Sequence, residues 1–502
     1  MKLREMVLAT FLLSQLSFCV LAQSQLNILA RQNSSTLPPG PAIQKQGLQG
    51  IWQGTLETGG TKLRVIFKVT KSPNHTFAAT LDVPDQGATG VPIDAVTVKD
   101  ATVRFEFKSL SAVYEGMINK EGTAITGNWS QGGMTVPLTL NRSDKAPSAS
   151  LRPQEPKKPY PYDEEEVSYE NKRDGVRLAG TLTLPRTKGP HPAVLLITGS
   201  GKQDRNESLL GHKPFLVLSD YLTRRGIAVL RVDDRGVGGS TGDGSFDKTT
   251  SENFAEDVLA GVAFLKTRRD INPRQIGLIG HSEGGIIAPL AAARSVDVAF
   301  IVLMAGPGVT GEEGFPNQLS STAKASGASD ESIAWNRRLL LQMFSIIKEE
   351  KDNAAADKKI RELRAKMLAE MSEEQRKKYG IPVDAMDGVI KLMLTPWFRF
   401  YLTHDPRATL KKVRVPVLAI TGERDLQVVP AGENLAAIAE ALKAGGNKDS
   451  TVVEVPKLNH LFQTSETGSP AEYGRIEETI SPDVLRLIGD WIVKRTAPMP
   501  SE

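Results

Sequence analysis

The sequence predicts a mostly parallel, doubly wound α/β sheet with a helical insertion, preceded by a small all-β domain. Between residues 166 and 497, short apolar runs alternate with helical segments, a pattern typical of a parallel sheet covered by helices on both faces. Residues 47–142 instead alternate polar and apolar side chains between turn signals, which indicates an antiparallel all-β unit. A proline-rich segment at 143–165 separates the two and predicts a linker.

Length and composition are those of a globular protein with more than one domain. The chain has 502 residues, of which 40% are hydrophobic and 24% charged, and this length favours two or three units. The formal net charge is only +4, and Lys and Arg are interspersed with Asp and Glu. Nucleic acid is therefore not an expected partner.

Residues 1–22 predict a secretory signal peptide. Lys2 and Arg4 precede an apolar stretch that ends in the small residue Ala22, which is the order of such signals. We expect the mature chain to begin at Gln23 and to be secreted or periplasmic, with a flexible lead-in at 23–46. An uncleaved anchor is the alternative, although the run is short for a bilayer span. No later segment predicts a stable membrane span.

Cysteine usage agrees with export. The chain has one cysteine, Cys19, and it lies inside the predicted signal. The mature protein would then contain no thiol, which excludes disulfides, thiolate catalysis and cysteine-bound metals.

The all-β domain carries no motif that we can connect with chemistry. Runs such as KLRVIFKVT and ATVRFEFKSL between turns such as ETGG and NKEG predict a small barrel or sandwich. The similar pieces GIWQG and GNWSQGG, around Trp52 and Trp129, suggest that the first and last strands pair. Substrate binding, spacing and oligomerisation remain equally open roles.

Six apolar runs in the α/β part predict buried strands. They are HPAVLLIT, IAVLRVD, QIGLIG, VAFIVLMA, VPVLAIT and STVVEV. A densely charged insertion at about 308–407 predicts amphipathic helices with one solvated face. The insertion closes on aromatic side chains that include Trp397 and Phe398, which either fill a core or line a substrate pocket.

A serine between glycines carries the chemistry. The stretch IGLIGHSEGGIIAPL places Ser282 on a tight turn between a buried strand and a helix, which is the context in which Gly-x-Ser-x-Gly presents a nucleophile. Serine needs a histidine base and an orienting carboxylate. In the order acid then histidine, the best candidates are Asp425 and His460, with Glu423 as an alternative acid and His404 as a less suitable base.

A serine nucleophile also needs donors for the oxyanion of its intermediate. One should be the backbone N–H of Glu283, the residue after Ser282. The second should come from the glycine-rich loop after the first buried strand, LLITGSGKQDRNE, where Ser200 is the best candidate.

These motifs resemble the α/β-hydrolase superfamily, and within it the bacterial esterase and serine aminopeptidase-like branch. GHSEGG matches the nucleophile turn, RVDDRGVGGSTG the Asp-x-Arg-Gly turn, and TGERD with NH the acid and base loops. The resemblance implies that 308–407 is a helical cap over the active site. It also implies that Asp233, Asp234 and Arg235 brace loops. The TGSG loop departs from the His-Gly pair of many relatives.

The sequence thus predicts a secreted serine hydrolase that cleaves carboxylic esters of small to medium acyl chain and needs no metal or organic cofactor. A peptidase that removes short N-terminal units is the nearest alternative, with Glu283, Glu207 or cap carboxylates as candidates to hold the free amine. A non-catalytic binding protein with this fold is a third reading. The expected partner is a small-molecule ester, and the sequence does not predict an oligomeric state.

Overall fold

The structure is a computed structural model that describes residues 47–58, 61–72, 76–84, 88–108, 110, 112–131, 134–144, 152–245, 247–378 and 387–497. The predicted signal peptide at 1–22, with Cys19, and the lead-in at 23–46 lie outside the described residues.

In the described residues, the N-terminal domain is one antiparallel sheet of nine strands in the order β4-β3-β2-β1-β9-β8-β7-β6-β5. Their bounds are β1 Gly50–Thr58, β2 Thr61–Lys71, β3 Phe77–Val83, β4 Ala88–Ile93, β5 Ala95–Lys99, β6 Thr102–Phe107, β7 Ala112–Ile118, β8 Ala124–Gln131 and β9 Met134–Ser143. The edge strands β4 and β5 are joined through Asp94, and β3 contacts β5. The sheet therefore curls back towards closure, as in a small barrel.

Aromatic side chains fill the inside of this sheet. The rings of Phe67 and Phe105 lie 5.0 Å apart, and those of Phe107 and Trp129 lie 4.9 Å apart. Trp52 and Trp129 are both buried, but their strands β1 and β8 are not neighbours, because β9 lies between them and pairs with each. The first and last strands of the domain, β1 and β9, do pair.

Residues 152–162 contain no helix or strand, yet they bind to the C-terminal part of the chain. The Arg152 guanidinium donates to the backbone oxygens of Leu210, Gly474 and Ile476 at 2.9–3.1 Å. The Gln154 side chain accepts from the amide of Ile480 at 3.1 Å and donates to its oxygen at 2.7 Å. This part of the predicted linker is therefore held against the domain that follows it.

The C-terminal part contains an eight-stranded sheet, within the described residues, in the order β10-β11-β13-β12-β14-β15-β16-β17. Its strands are β10 Asp163–Asn171, β11 Val176–Leu184, β12 His191–Ile197, β13 Ala228–Val232, β14 Ile271–His281, β15 Phe300–Met304, β16 Val417–Gly422 and β17 Ser450–Val455. From β13 onwards in this order the neighbouring strands pair in parallel. Separate apolar clusters cover its two faces. The predicted fold class is confirmed.

The helices of the α/β domain cover both faces of the sheet or form the insertion. Those around the sheet are α1 Pro214–Arg224, α2 Ser251–Lys266, α3 Gly284–Ala292, α11 Ala431–Ala444, α12 Pro470–Tyr473 and α13 Pro482–Thr496. Those of the insertion are α4 Gly311–Ala325, α5 Asp330–Glu349, α6 Asn353–Ala369, α7 Glu373–Lys378, α8 Asp387–Met393, α9 Pro396–Thr403 and α10 Pro406–Leu410. The insertion has its own apolar core, which includes Phe344 and Phe398.

Two strands at one end of the sheet, β10 and β11, are not among the six that the sequence predicts. β10 is the edge strand, has the sequence DEEEVSYEN, and exposes most of its side chains. It pairs with β11 in antiparallel register, and its first residues fall within the segment that the sequence predicts as a linker. None of the helices in the described ranges is long and apolar enough for a membrane span.

Candidate active site

Ser282 occupies a turn between β14 and α3 that only a specific sequence permits. Its φ is 54°, in the left-handed region, where a side chain costs free energy. A Cβ on Gly280 would lie 2.0 Å from the oxygen of Gly284, and one on Gly284 would lie 2.4 Å from the oxygen of Ile197. The two glycines are therefore required by the close approach of the backbone.

The turn is fixed on one side and leaves the serine accessible. The Ser282 amide donates to the oxygen of Met304, at the end of β15, at 2.8 Å. Ser282 itself is only half-buried, whereas Glu283 and the first residues of α3 are buried. The N-terminus of α3 begins at the turn, so its positive end lies beside the serine.

His460 and Asp425 lie in the loops that follow the C-terminal ends of β17 and β16, and they contact each other there. His460 Nδ1 lies 2.8 Å from Asp425 Oδ2, and both residues are buried. The other carboxylate oxygen accepts the amides of Gln427 at 2.7 Å and Val428 at 2.9 Å. Burial alone would raise the pKa of Asp425, but the charge and hydrogen bond of His460 and these amides lower it.

His460 reaches the serine turn through His281, the neighbour of Ser282. The two imidazole rings lie 4.9 Å apart, and His281 Nε2 lies 3.1 Å from the backbone oxygen of His460. The other ring nitrogen, Nδ1, lies 2.9 Å from Glu207 Oε1. Burial opposes a charge on His281, but the Glu207 carboxylate raises its pKa. The structure thus brings Ser282, His460 and Asp425 to one end of the sheet.

The glycine-rich loop after β12 supplies backbone donors beside the serine. Within the part of the chain that the structure describes, the amides of Ser200 and Glu283 donate to no protein acceptor, whereas the Gly199 amide donates to Glu207 Oε1 at 2.7 Å. A Cβ on Gly199 would lie 3.3 Å from Ser282 Cβ, so the loop and the turn are in contact. The amides predicted as oxyanion donors are those left available.

The Asp-x-Arg-Gly turn lies behind this loop. Asp234 accepts the Thr198 hydroxyl and the Gln203 amide, both at 2.9 Å, and burial raises its pKa well above the ordinary value. Arg235 pairs with Asp257 at 2.7 Å. These contacts link the turn to the glycine-rich loop and to α2.

The side chain of Glu283 connects the turn to the cap. Its Oε1 accepts the Ser251 hydroxyl at 2.7 Å and the Trp397 indole N–H at 2.9 Å. Burial raises the pKa of Glu283, against the opposing effect of these donors and the Ser200 hydroxyl. Burial and the nearby Glu283 also raise the pKa of Tyr401 to about 12, and Tyr401 stacks on Trp397 at 5.6 Å.

The remaining predicted candidates are placed elsewhere. Phe398 is fully buried in the cap core, with its ring 5.6 Å from that of Phe315, and Trp397 is bound to Glu283. Glu423 accepts the amide of Lys457 at 2.8 Å. His404 stacks on Phe400 at 4.7 Å, and burial lowers its pKa.

A pocket opens beside the glycine-rich loop, towards α2. Both Gly199 and Glu283 border it, and so does Asp234. The other residues around it are mainly apolar: Tyr169, Leu178, Leu195, Leu196, Ile197, Thr198, Gly201, Val232, Asp233, Phe254, Asp257, Val258 and Ile287. The described residues contain no cluster of His, Cys, Asp and Glu that would hold a metal ion.

Sequence reasoning did not assign a role to the contact between Glu207 and His281. His281 lies inside the nucleophile motif, but its position gives no sign of a partner, and Glu207 is 74 residues away along the chain. The sequence suggests Glu207 only as a group that could hold a substrate amine. Its actual contact depends on the loop between β12 and α1, whose path no motif predicts.

Comparison with known proteins identifies the family. Residues 174–446, just over half of the chain, match the X-Pro dipeptidyl-peptidase (S15 family). The chain belongs to the S15 family. The matched range contains Ser282 and Asp425 and ends before His460. As an S15 member with this sheet, the chain is a serine hydrolase of the α/β-hydrolase fold, as the sequence resemblance implied.

Relatives outside this match are esterases and hydrolases by name. Esterase EstD of Thermotoga maritima is 27% identical over 326 residues, which is 63% of this chain and 66% of EstD. Putative hydrolase YtaP of Bacillus subtilis is 35% identical over 127 residues, 22% of this chain and 41% of YtaP. The S15 member thus spans just under two thirds of EstD and less than half of YtaP.

Solved structures similar to the chain include two hydrolases. The alpha/beta hydrolase GrgF from Penicillium sp. sh18 has a TM-score of 0.42 and 18% identity, with 67% of this chain and all of GrgF covered. The Pyrococcus furiosus esterase Pf2001 has a TM-score of 0.39 and 16% identity, with 67% and 92% covered.

Proposed function

We propose that this S15 member is a secreted serine hydrolase that cleaves carboxylic esters of small to medium acyl chain. The single observation that carries the proposal is the contact between His460 Nδ1 and Asp425 Oδ2 at 2.8 Å. The loop that contains His460 also contacts His281, the residue before Ser282. The leader sequence at 1–22 supports export, and the esterase EstD supports ester chemistry.

The proposed reaction begins with Ser282. Because the Asp425 carboxylate can only accept a hydrogen bond, His460 Nδ1 carries the proton and Nε2 keeps its lone pair. His460 takes the serine proton as Ser282 attacks the ester carbonyl, and Asp425 stabilises the imidazolium that forms. The amides of Ser200 and Glu283 hold the oxyanion, each contributing roughly 3 to 4 kcal/mol of transition-state stabilisation.

The acyl-enzyme is then hydrolysed. His460 gives its proton to the leaving alcohol, and a water molecule, activated by the same imidazole, attacks the acyl-serine. No step requires a metal or an organic cofactor.

The experiment that tests this proposal is hydrolysis of p-nitrophenyl esters from acetate to palmitate by the purified mature chain, with Ser282→Ala as the control. We expect turnover that falls as the acyl chain lengthens and that decreases by at least about 10³-fold in Ser282→Ala. Full activity in Ser282→Ala would refute the proposal.

A second candidate is a peptidase that removes N-terminal dipeptides, and the S15 family match favours it. Such an enzyme needs a carboxylate for the free amine of its substrate. Glu283 borders the pocket, but it is buried and already accepts hydrogen bonds from Ser251 and Trp397. We therefore prefer the esterase. Aminoacyl- and dipeptidyl-nitroanilides discriminate, with X-Pro-nitroanilides as the substrates that match the family. Turnover that acetylation of the amine abolishes, together with silence on esters, would favour the peptidase.

A further inference from the structure

Glu207 contacts two segments beside the proposed nucleophile with one carboxylate oxygen. Its Oε1 accepts the Gly199 amide at 2.7 Å and lies 2.9 Å from His281 Nδ1. Glu207 is 5% exposed and His281 6% exposed. Glu207 also has a φ of 52°, an unfavourable backbone conformation that surrounding contacts must stabilise.

The hydrogen bonds of His281 define where protons are. A carbonyl oxygen only accepts, so the contact between His281 Nε2 and the His460 oxygen requires a proton on Nε2. The contact between Nδ1 and Glu207 Oε1 then needs one further proton, held on the imidazole or on the carboxyl. In either case the pair is neutral overall, so its burial does not leave an unpaired charge.

We propose that Glu207 and His281 are a positioning pair, which sets the glycine-rich loop and the backbone of the His460 loop against Ser282. Glu207 fixes Gly199, next to the proposed oxyanion donor Ser200. His281 fixes the backbone of His460, and its ring packs 4.9 Å from the proposed base. Neither residue needs to touch substrate, and the pair acts through the groups that do. This inference rests on the proposed function, because it assigns those groups to catalysis.

Substitution with glutamine makes the proposal testable. Gln has nearly the same shape as Glu. Its oxygen can accept a hydrogen bond, but unlike a carboxylate it cannot take up a proton. In Glu207→Gln, a neutral His281 cannot keep all three contacts. If the Gln oxygen faces Gly199, the single imidazole proton serves either that oxygen or the His460 carbonyl. If the Gln NH2 group faces Nδ1 instead, the Gly199 amide loses its acceptor. A residue that only fills space would tolerate this change, whereas a positioning pair would not.

The experiment compares the full-length mature chain with Glu207→Gln, His281→Phe and the double variant, using the best p-nitrophenyl ester. We expect kcat to fall about 10- to 100-fold in each single variant, because small displacements of catalytic groups have effects of this size, while KM changes less than about threefold. We expect kcat of the double variant to be no lower than that of the poorer single variant, since both substitutions disrupt the same pair. Near-UV circular dichroism gives the folded fraction for normalisation.

Asp82→Asn is the matched control. Asp82 is a buried carboxylate in the β domain that accepts the amide of Gly90 at 2.7 Å and pairs with Lys68. Its substitution also removes a buried carboxylate with one amide and one basic partner. It should leave kcat of the folded fraction unchanged.

A spectroscopic measurement does not depend on the variants being active. In the wild-type chain labelled with ¹⁵N-histidine, Nε2 of His281 should carry a proton and Nδ1 should be hydrogen-bonded, with the signals assigned by their loss in His281→Phe. Unchanged kcat in both single variants, additive losses in the double variant, or a His281 Nε2 without a proton would overturn the proposal. Activity in Ser282→Ala would instead refute the proposed function, while the His281 signature would remain.

Discussion

At the scale of single residues, His212 is a buried imidazole that supports the loop behind His460. Its Nδ1 lies 2.9 Å from the Thr479 hydroxyl and its Nε2 lies 2.9 Å from the oxygen of Tyr473. Burial, together with the positive charge of Arg152, lowers the pKa of His212 from 6.5 to about 4. The neutral imidazole is therefore the form that the fold accommodates.

This pKa shift predicts a pH-dependent stability. Between about pH 6.5 and 4 the unfolded chain binds a proton at His212 that the folded chain does not. As the pH decreases through this range, His212 therefore lowers the free energy of unfolding by roughly 3 kcal/mol. Above that window the contribution is constant. We expect urea unfolding curves at several pH values to show a smaller decrease for His212→Gln than for the wild type. Parallel decreases would contradict the assignment.

Asp425 and Glu423 provide a direct test of the proposed acid. An Asn at 425 would donate to His460 Nδ1 and force the proton onto Nε2, so the base would lose its lone pair. We expect Asp425→Asn to lower kcat by about 10⁴-fold. Glu423→Gln is the matched control and should stay near the wild-type kcat, because the Glu423 side chain accepts the Lys457 amide and makes no hydrogen bond to His460 within the described residues. Similar kcat values for the two variants would reject Asp425 as the acid.

At the scale of elements, the strand-turn-helix unit around Ser282 was the feature best predicted from sequence. The glycine spacing reports a steric requirement that no other residue meets, so motif and backbone geometry correspond closely. The buried strands were predictable for a related reason, since both of their faces are apolar. Strand β10 and the loop of Glu207 were not, because an exposed edge strand and an irregular loop bury few apolar side chains and leave no periodic signal.

Two glycine substitutions test the steric argument. In Gly280→Ala the new Cβ would lie 2.0 Å from the Gly284 oxygen, so we expect a loss of about 1–3 kcal/mol or more of unfolding free energy and loss of activity. Gly314→Ala, in α4, would place its Cβ 3.5 Å from Val309, an ordinary contact. It should stabilise the protein by about 0.5–1 kcal/mol. Thermal unfolding of both variants checks the opposite signs.

The bond between Trp397 and Glu283 predicts a defined role for one cap side chain. Trp397→Phe removes a donor from a buried carboxylate, which should cost about 1–3 kcal/mol. Trp335 in α5 is the matched control, since its indole N–H has no hydrogen-bond partner within the described residues. The same change there should cost less. Equal losses in chemical denaturation would show that only packing matters at Trp397.

At the scale of the whole molecule, the two domains have separate hydrophobic cores. The β domain is organised around Phe67 and its neighbours, and the hydrolase around both faces of its sheet. Composition and periodicity predict this division because the apolar residues of each core are spaced differently along the sequence. They give no sign that Arg152 binds the hydrolase domain, because a single basic residue in a proline-rich segment resembles any solvated linker residue.

The separate cores predict that the catalytic domain functions without the β domain. We expect a variant that lacks residues 23–145 but keeps Arg152 and Gln154 to turn over p-nitrophenyl acetate within about threefold of the full chain. The reason is that no residue of the β-domain core belongs to the hydrolase cores. Activity assays of the two purified chains measure this. Complete loss of turnover with an intact fold would contradict the prediction and show that catalysis depends on the β domain.

The double use of Glu283 limits how the enzyme can be redesigned. Its amide belongs to the proposed oxyanion hole, and its carboxylate binds Trp397 in α9 of the cap. A variant that carries the cap of another enzyme must therefore also have an N–H donor at the position of the Trp397 indole. A cap exchanged without that donor removes one of the hydrogen bonds to a buried carboxylate, in the residue that directly follows Ser282. The cap and the nucleophile turn are therefore one transplantable unit, and libraries that shuffle caps should keep positions 251, 283 and 397 together.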